Sequence, residues 1–305
     1  MATKCSIPAI DLQDFPNQLS KLISACEEWG CFRLFNHHEV LPLTLMSEMK
    51  AVVRSLFDLP AEIKRQNTDV ITGSGYMGPK VNNPVYEALG FHDMSSLHDV
   101  DSFCSQLDAS PDQRDTIMRY CGAVHELFIG LGVKIAEGLG VKSENIGFKN
   151  WPSRCRMNKY HFTPETVGSP GVRTHTDSGF LTIIQDDDVV GGLEVMNNSG
   201  EFIAVDPSPG TLFVNLGDMA TVWSNGRFCN VKHRVQCKEA KIRFSIASFL
   251  SGPREVVEPP PELVDDEHPR VYVATTYEEY RKLRFSMKLQ AGETLALLCP
   301  SSSDK

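Results

Sequence analysis

The first half of the chain carries its apolar residues at helical spacing. After a short extended stretch, IPAIDL, three apolar stripes follow, and residues within each recur three or four positions apart. This period predicts amphipathic helices that turn one face toward a core. Gly30 and the DLP stretch at 58–60 end the first two stripes, while Gly130, Gly132 and Gly138 weaken the ends of the third. The stripes are Leu19, Leu22, Ile23, Cys26 and Trp29; Leu45, Met49, Val52 and Leu56; and Ile117, Tyr120, Val124, Leu127, Leu131, Ile135 and Leu139.

From about residue 153 the pattern changes to short runs of β-branched and aromatic residues. Turn residues separate these runs, as is typical of a β-sandwich or a barrel. The turn segments are VGG, NNSG, PSPG and SNG. The candidate strands are RCRMNKYHF, FLTIIQ, GLEVM, EFIAV, TLFVNLG, NVKHRVQC and IRFSIASFL.

A helical pattern returns after the proline cluster EPPPEL, in YEEYRKLRFSMKL. Thr275 and Thr276 stand three residues before Glu278 and Glu279, which makes both pairs candidate capping boxes. The fold class is therefore predicted as α+β, with an antiparallel double-sheet core. We place a helical N-terminal region at 1–150, the core at 151–255 and a C-terminal extension with a helix at 256–305.

Charge and composition exclude several classes of partner. The formal net charge is -9 and the sequence pI is about 5.5, so no basic surface is expected to attract nucleic acid. The start, MATKCSIPAIDLQDF, lacks an apolar signal segment, and no later run is long enough to span a bilayer. The nine cysteines are scattered and odd in number, unlike a disulfide scaffold. We therefore expect a cytoplasmic protein with no membrane contact; self-association does not follow from the sequence.

Three residues have the types and order of a metal site. His175 and Asp177 lie two apart in GVRTHTDSGFLTIIQ, and side chains two apart on a strand project from one face. His233 follows on another candidate strand. Two imidazoles and one carboxylate form the facial triad of non-haem Fe(II) enzymes, which leaves open positions on the metal. A second His-x-acid match at 37–39, HHE, has no such sequel.

Zinc is the rival metal, because His₂-carboxylate sites also occur in zinc hydrolases. The helical HExxH motif of many such enzymes is absent here. Arg243 and Ser245 follow His233 at strand spacing, while Phe244, Ile246 and Leu250 suit a core on the other face. An Arg and a Ser beside the metal would hold the distal carboxylate of a dicarboxylic acid, which favours iron.

The order His-x-Asp, then His, then Arg-x-Ser resembles the plant soluble 2-oxoglutarate and Fe(II)-dependent dioxygenases. IPAIDL, ACEEWGCFRLFNH and LFDLPAEIK are also similar to that family, so the resemblance covers nearly the whole chain. It implies an enzyme with a double-stranded β-helix, or jelly-roll, core. MNKYHF stands where the family has Asn-x-Tyr-Pro, so Asn158 and Tyr160 are kept while His161 and Phe162 depart from the pattern.

The resemblance also implies the cofactors and their ligands. His175, Asp177 and His233 would hold Fe(II), which 2-oxoglutarate would chelate through its 2-oxo and C1-carboxylate groups. Arg243 and Ser245 would hold its C5 carboxylate, and Asn158 and Tyr160 would also belong to the 2-oxoglutarate site, with Tyr160 in contact with the co-substrate. Oxygen would be the oxidant, ascorbate would support turnover, and succinate and CO₂ would be released.

Strand alternation predicts that Arg156, and two residues before it Arg154, lie on the same face as Asn158 and Tyr160. An acidic substrate would bind on this face. Candidates for an aromatic wall are Tyr76, Phe162, Phe180, Trp223 and Phe249. GSGYMGPKVNNPVYEALGFHD, LDASPDQR, NKYHFTPETVG and DMATVWSNGRFCNVKHRVQCKEA resemble the subgroup of dioxygenases for auxin oxidation. That resemblance implies conversion of indole-3-acetic acid to 2-oxindole-3-acetic acid. The same chemistry on a gibberellin or a phenolic acid, and a non-catalytic jelly-roll binding module, are the alternatives.

Overall fold

The structure is a computed structural model that describes residues 6–71, 73–142 and 146–300. Its helices pack mostly against one face of a large sheet, as the apolar stripes predict. Those in the N-terminal region are α1 (Leu19–Glu28), α2 (Leu43–Phe57), α3 (Ala61–Lys64), α4 (Leu97–Gln106) and α5 (Pro111–Gly138). Two helices follow later in the chain, α6 (Asp218–Trp223) and α7 (Tyr277–Met287). No helix of the described residues is long and apolar enough to cross a membrane.

The strands form two main sheets and one short pair. They are β1 (Ala9–Asp11), β2 (Cys31–Phe35), β3 (Tyr86–Phe91), β4 (Ser153–His161), β5 (Pro170–His175), β6 (Leu181–Gln185), β7 (Leu193–Met196), β8 (Phe202–Ala204), β9 (Leu212–Leu216), β10 (His233–Gln236), β11 (Ile242–Leu250), β12 (Val256–Val257) and β13 (Thr275–Thr276). The large sheet has the order β1-β2-β9-β6-β11-β4-β3, and the small one β5-β10-β7-β8. Only the β1–β2 pair among them is parallel in the described chain. The two sheets, antiparallel apart from that pair, confirm the predicted jelly-roll core.

Strand alternation gives β4 and β11 two different faces. Met157 and Ile246 lie in the core shared with the helices, whereas Asn158 and Ser245 face a cavity between the two sheets. The two strands pair so that Tyr160 stands opposite Arg243 and Asn158 opposite Ser245. The polar residues of both strands therefore meet on the cavity side.

The longest helix, α5, begins at a capping box that Ser110 and Gln113 form with each other's backbone N–H groups. It runs through Gly130 and Gly132, where we expected the stripe to weaken, and ends at Gly138. Gly132 is required by packing, because a Cβ there would lie 2.7 Å from the ring of Phe148. The predicted apolar stripe of α5 is buried.

At the C-terminal end, one candidate capping box is confirmed and the other is wrong. Thr276 caps α7 and exchanges hydrogen bonds with Glu279. Thr275 instead belongs to β13, where its backbone pairs with Val257. The eight cysteines of the described residues are all free thiols, and Cys5 lies outside those residues.

The strands β1, β2 and β3 come from the N-terminal region, yet they complete the large sheet. The division at 150 and 255 therefore remains a prediction about the chain's organisation. The strands β2 and β3 and the helix α4 were absent from the sequence prediction. The two strands are short and do not alternate between apolar and polar residues, and α4 has few apolar residues, so none of the three shows a clear period.

Candidate metal centre and its cavity

Three candidate ligands converge between the two sheets. The ligand atoms of His175, Asp177 and His233 all lie within 4.8 Å of one another. Asp177 Oδ1 is 3.6 Å from His175 Nε2 and 3.8 Å from His233 Nε2. His175 ends β5, His233 begins β10, and the two residues pair in register. The structure thus brings the three residues of the predicted triad together.

The reason for this convergence differs from the one predicted. The strand β5 ends at His175, so Asp177 lies in the link between β5 and β6 and not on a strand. Alternation along a strand therefore does not place Asp177. Its position depends on contacts that hold the link from outside, including a hydrogen bond from Asp218 N to Asp177 O of 2.8 Å.

Backbone and side-chain hydrogen bonds leave one donor atom on each ligand directed at the centre. His175 Nδ1 donates to Arg173 O at 2.9 Å, and His233 Nδ1 donates to Val231 O at 3.2 Å, so each Nε2 carries the lone pair. Asp177 Oδ2 accepts hydrogen bonds from Thr182 Oγ1 at 2.5 Å and Asn215 Nδ2 at 2.9 Å. Oriented ligands of this kind are typical of metal sites. Sequence reasoning missed Thr182 and Asn215.

The protonation states also suit a metal. Burial, and after it the adjacent His233, lower the pKa of His175 to about 4, although Asp177 and the backbone of Arg173 act in the opposite direction. Burial alone would raise the pKa of Asp177, but the two imidazoles and the hydrogen bonds from Asn215 and Thr182 lower it to about 2. A neutral nitrogen and an ionised carboxylate are therefore present at neutral pH. This N₂O donor set fits Fe(II) with open positions.

The deep end of the cavity fits a carboxylate. Arg243 is 1% exposed and forms an ion pair with Asp186 through Nη2. Its Nε and Nη1 are buried with no hydrogen-bond partner among the described residues. The ring of Tyr160 lies 5.0 Å from this guanidinium, and Ser245 Oγ accepts a hydrogen bond from Asn158 Nδ2 at 3.2 Å. Two fixed N–H donors beside a hydroxyl suit the C5 carboxylate of 2-oxoglutarate.

A chain of hydrogen bonds continues from Ser245 along the cavity wall. Tyr86 donates to Asn158 Oδ1 at 2.7 Å and accepts from Arg156 Nε at 3.2 Å. Arg156 Nη1 donates to Gly73 O at 2.6 Å, while Nη2 is buried without a partner in the described part of the chain. The sequence prediction missed Tyr86, because β3 was not predicted as a strand. In the structure Tyr86 stands opposite Tyr160 on the neighbouring strand β4.

The aromatic candidates divide between the cavity and the core. Phe249 lines the cavity, and Arg154 lies over its ring at 5.3 Å. Phe162 packs against Tyr160 in the core between the sheets and does not line the cavity. Tyr76 is also outside the lining and donates to Glu87 at 2.8 Å.

Phe180 and Trp223 were expected in the aromatic wall, and the structure corrects this. Both lie in the helix-side core, where their rings are 5.4 Å apart. Phe180 stands outside β6, directly after the irregular link, so strand alternation does not apply to it. Ring contacts with Phe148 and Trp151 complete this cluster.

Comparisons with known proteins agree with the site. Residues 151–252 match the 2OG-Fe(II) oxygenase superfamily, and residues 7–115 match the family described as non-haem dioxygenase in morphine synthesis N-terminal. The rice (Oryza sativa subsp. japonica) protein named 2-oxoglutarate-dependent dioxygenase DAO is 50% identical over 299 residues, which cover 96% of this chain and 98% of that protein.

Solved structures agree as well. The crystal structure of dioxygenase for auxin oxidation in rice is 49% identical, covers 97% of this chain and 100% of that one, and superposes with a TM-score of 0.90. Dioxygenase for auxin oxidation 1 from Arabidopsis thaliana, in its 2-oxoglutarate complex, is 57% identical over 87% of this chain and 100% of its own, with a TM-score of 0.83. The family uses Fe(II), 2-oxoglutarate and O₂, for which the triad and the Arg243 end of the cavity have the right chemistry. The chain belongs to the 2-oxoglutarate and Fe(II)-dependent oxygenase superfamily, whose members are enzymes.

Proposed function

We propose that this enzyme oxidises the auxin indole-3-acetic acid to 2-oxindole-3-acetic acid. One O₂ is consumed; one oxygen atom enters the product, and the other enters succinate as 2-oxoglutarate loses CO₂. The observation that carries the proposal is a cavity lined by the triad and by Arg156, whose Nη2 has no partner among the described residues. The chain is similar over nearly its whole length to dioxygenases for auxin oxidation.

In this proposal His175, Asp177 and His233 would hold Fe(II), and the chemistry that the metal would supply is the activation of O₂. Arg243 and Ser245 orient the co-substrate by its C5 carboxylate. Asn158 positions Ser245 through its hydrogen bond, and the buried Tyr160 covers one side of the guanidinium. These contacts fix the co-substrate and exclude water from it.

The substrate carboxylate is proposed to bind Arg156. Tyr86 and Gly73 already hold two of its nitrogens, so Nη2 has a fixed direction. The arginine side chain therefore loses little conformational entropy when an acid binds to it. Apolar side chains supply the surface for a flat ring; they are Val172, Ile184, Leu193, Val235, Ala247 and Phe249. A planar aromatic acid satisfies both features.

We place the reaction in the cytoplasm. The support is the free state of the eight described cysteines, since a reducing compartment keeps thiols unpaired.

The test is turnover by the purified protein with Fe(II), ascorbate, 2-oxoglutarate and O₂, with and without indole-3-acetic acid. We expect succinate to form in step with a product one oxygen atom heavier, and Asp177→Ala to form neither. If succinate forms with a gibberellin or a phenolic acid but not with indole-3-acetic acid, the enzyme has the proposed chemistry and that other acid is its substrate. Absence of succinate with every acid would favour a binding module.

A further inference from the structure

The link between β5 and β6 carries Asp177, and the chain's C-terminal part holds it in place. Thr176 N donates to Gln290 O at 2.9 Å, on the segment after α7. On the other side the link rests on Gly217, where a Cβ would lie 2.7 Å from Asp177 O and 2.3 Å from Gly179 O. Two distant segments of the chain therefore enclose this link.

Arg284, on α7, makes the densest set of contacts with the link. It is buried, and its Nη1 donates to Thr176 Oγ1 at 3.0 Å while its Nη2 donates to the backbone oxygen of Thr176. The same Nη2 donates to Gln290 O at 2.6 Å. Thr176 is the residue between the candidate ligands His175 and Asp177. One guanidinium thus fixes the peptide that joins two of the three ligands.

Asp218 completes the arrangement. Its fully buried carboxylate pairs with Arg284 and accepts hydrogen bonds from Tyr280 Oη at 2.7 Å and Asn230 Nδ2 at 2.6 Å. Its backbone N–H donates to Asp177 O. A buried ion pair of this kind contributes little net stability compared with apolar packing, so its geometry is the more informative feature.

We propose that Arg284 is a positioning residue for the metal centre. It sets the conformation of the His175–Asp177 segment through Thr176, with Asp218 fixing the direction of its guanidinium. The helix α7, which supplies no ligand, is thereby part of the iron site. The inference rests on the proposed metal role of the triad.

The test is the affinity of the purified full-length protein for Co(II), a redox-stable probe for Fe(II), read from the visible absorption of the bound ion. We expect Arg284→Met to weaken binding about 10-fold and to alter the spectrum, as losses of outer-shell partners do. Lys282→Met is the matched control, because Lys282 lies on the same helix, is exposed and pairs only with Glu278 among the described contacts. It should bind Co(II) like the wild type.

A purely structural role makes a different prediction. Thermal unfolding of the metal-free Arg284→Met protein would then shift to lower temperature while its Co(II) affinity and spectrum stayed at wild-type values, which would overturn the inference. In the double variant Arg284→Met with Asp218→Asn, which removes the unpaired buried charge, we expect unfolding temperature to recover and Co(II) affinity to stay low.

Arg284→Lys keeps the charge if Arg284→Met does not fold. One ammonium can pair with Asp218 but cannot also serve both Thr176 acceptors and Gln290, so binding should remain several-fold weaker. Wild-type affinity in this variant would overturn the inference. Failure of the wild type itself to bind Co(II) would instead contradict the proposed metal site.

Discussion

Arg156 is half-buried, and its Nη2 is a buried hydrogen-bonding atom that no described residue uses. Its Nε and Nη1 are held by Tyr86 and Gly73, and only Nη2 lacks a partner within the described chain. A buried unsatisfied N–H is costly unless a ligand meets it. A carboxylate of the substrate would satisfy this atom through a charge-assisted bond.

Replacing Arg156 with Met should therefore impair substrate binding more than chemistry. Hydrogen bonds to charged groups contribute about 1.5–3 kcal/mol, so we expect the KM for indole-3-acetic acid to rise about 10-fold or more. Steady-state kinetics with 2-oxoglutarate saturating measure this value. Arg254→Met, which removes an exposed arginine, is the control.

A neutral analogue separates recognition of the carboxylate from a general disturbance of the cavity. With indole-3-acetamide, Arg156→Met and wild type should have similar KM values, since no carboxylate is present to lose its partner. An unchanged KM for the acid would show that another group holds it. An equal rise for acid and amide would assign Arg156 to the shape of the wall.

At the scale of elements, a hydrogen-bond network around Glu87 joins parts of the N-terminal region to the core sheet. Glu87, on β3, is buried and contacts Lys64 Nζ at 2.6 Å, Tyr76 Oη at 2.8 Å and His161 Nε2 at 3.1 Å. It thereby ties α3 and the segment before β3 to β4. Burial alone would raise the pKa of Glu87, but the hydrogen bonds from His161, Lys64 and Tyr76 lower it to about 2.

The stability that ionised Glu87 contributes should depend on pH. Its folded pKa is below the ordinary value of 4.5, so the contribution is complete above about pH 5 and is lost as the pH falls from 4.5 toward 2. We expect Glu87→Gln to lower the free energy of unfolding by about 3 kcal/mol at pH 7, because Lys64 is left unpaired. Urea unfolding between pH 7 and 3 should show this difference shrinking. Glu48→Gln, at an exposed pair, should change little at any pH, and a pH-independent difference for Glu87→Gln would contradict the argument.

Two glycines of α5 offer a comparison of propensity with packing. A Cβ at Gly130 meets nothing within 4 Å among the described atoms, whereas one at Gly132 meets the ring of Phe148. Gly130→Ala should raise the free energy of unfolding by about 0.5–1 kcal/mol, since alanine is the better helix former. Gly132→Ala should lower it by about 1–3 kcal/mol, because Phe148 is fixed by Trp151 and Phe180. Urea unfolding of both variants measures this, and a change of the same sign in both would contradict it.

The elements also explain what sequence could predict. Long periodic segments such as α5 and alternating strands such as β11 were predictable because their pattern repeats over many residues. The strand β3 was not, since Glu87 faces a buried network and breaks the apolar pattern. The triad could be identified from residue types and order, but its geometry could not. Arg284 lies 107 residues beyond Asp177, and no local pattern connects them.

At the scale of the whole molecule, the three regions predicted from sequence share structural elements. The first two strands reach the core through the pairing of β2 with β9, and β3 pairs with β4. From the other end of the chain, Arg284 contacts Thr176 in the middle of the site. Each region thus contributes backbone or side-chain contacts that the catalytic core needs.

The chain should accordingly unfold as one cooperative unit. Removing the N-terminal strands from the sheet would expose the edges of β9 and β4, so separate melting of that region is unfavourable. We expect urea transitions followed by tryptophan fluorescence and by far-ultraviolet circular dichroism to coincide. Addition of Co(II) and 2-oxoglutarate should move both to higher urea by the same amount, since ligands that bind only the folded state stabilise the whole unit. An early transition in one signal, unaffected by the ligands, would instead identify the N-terminal region as an independent domain and would support a boundary near residue 150.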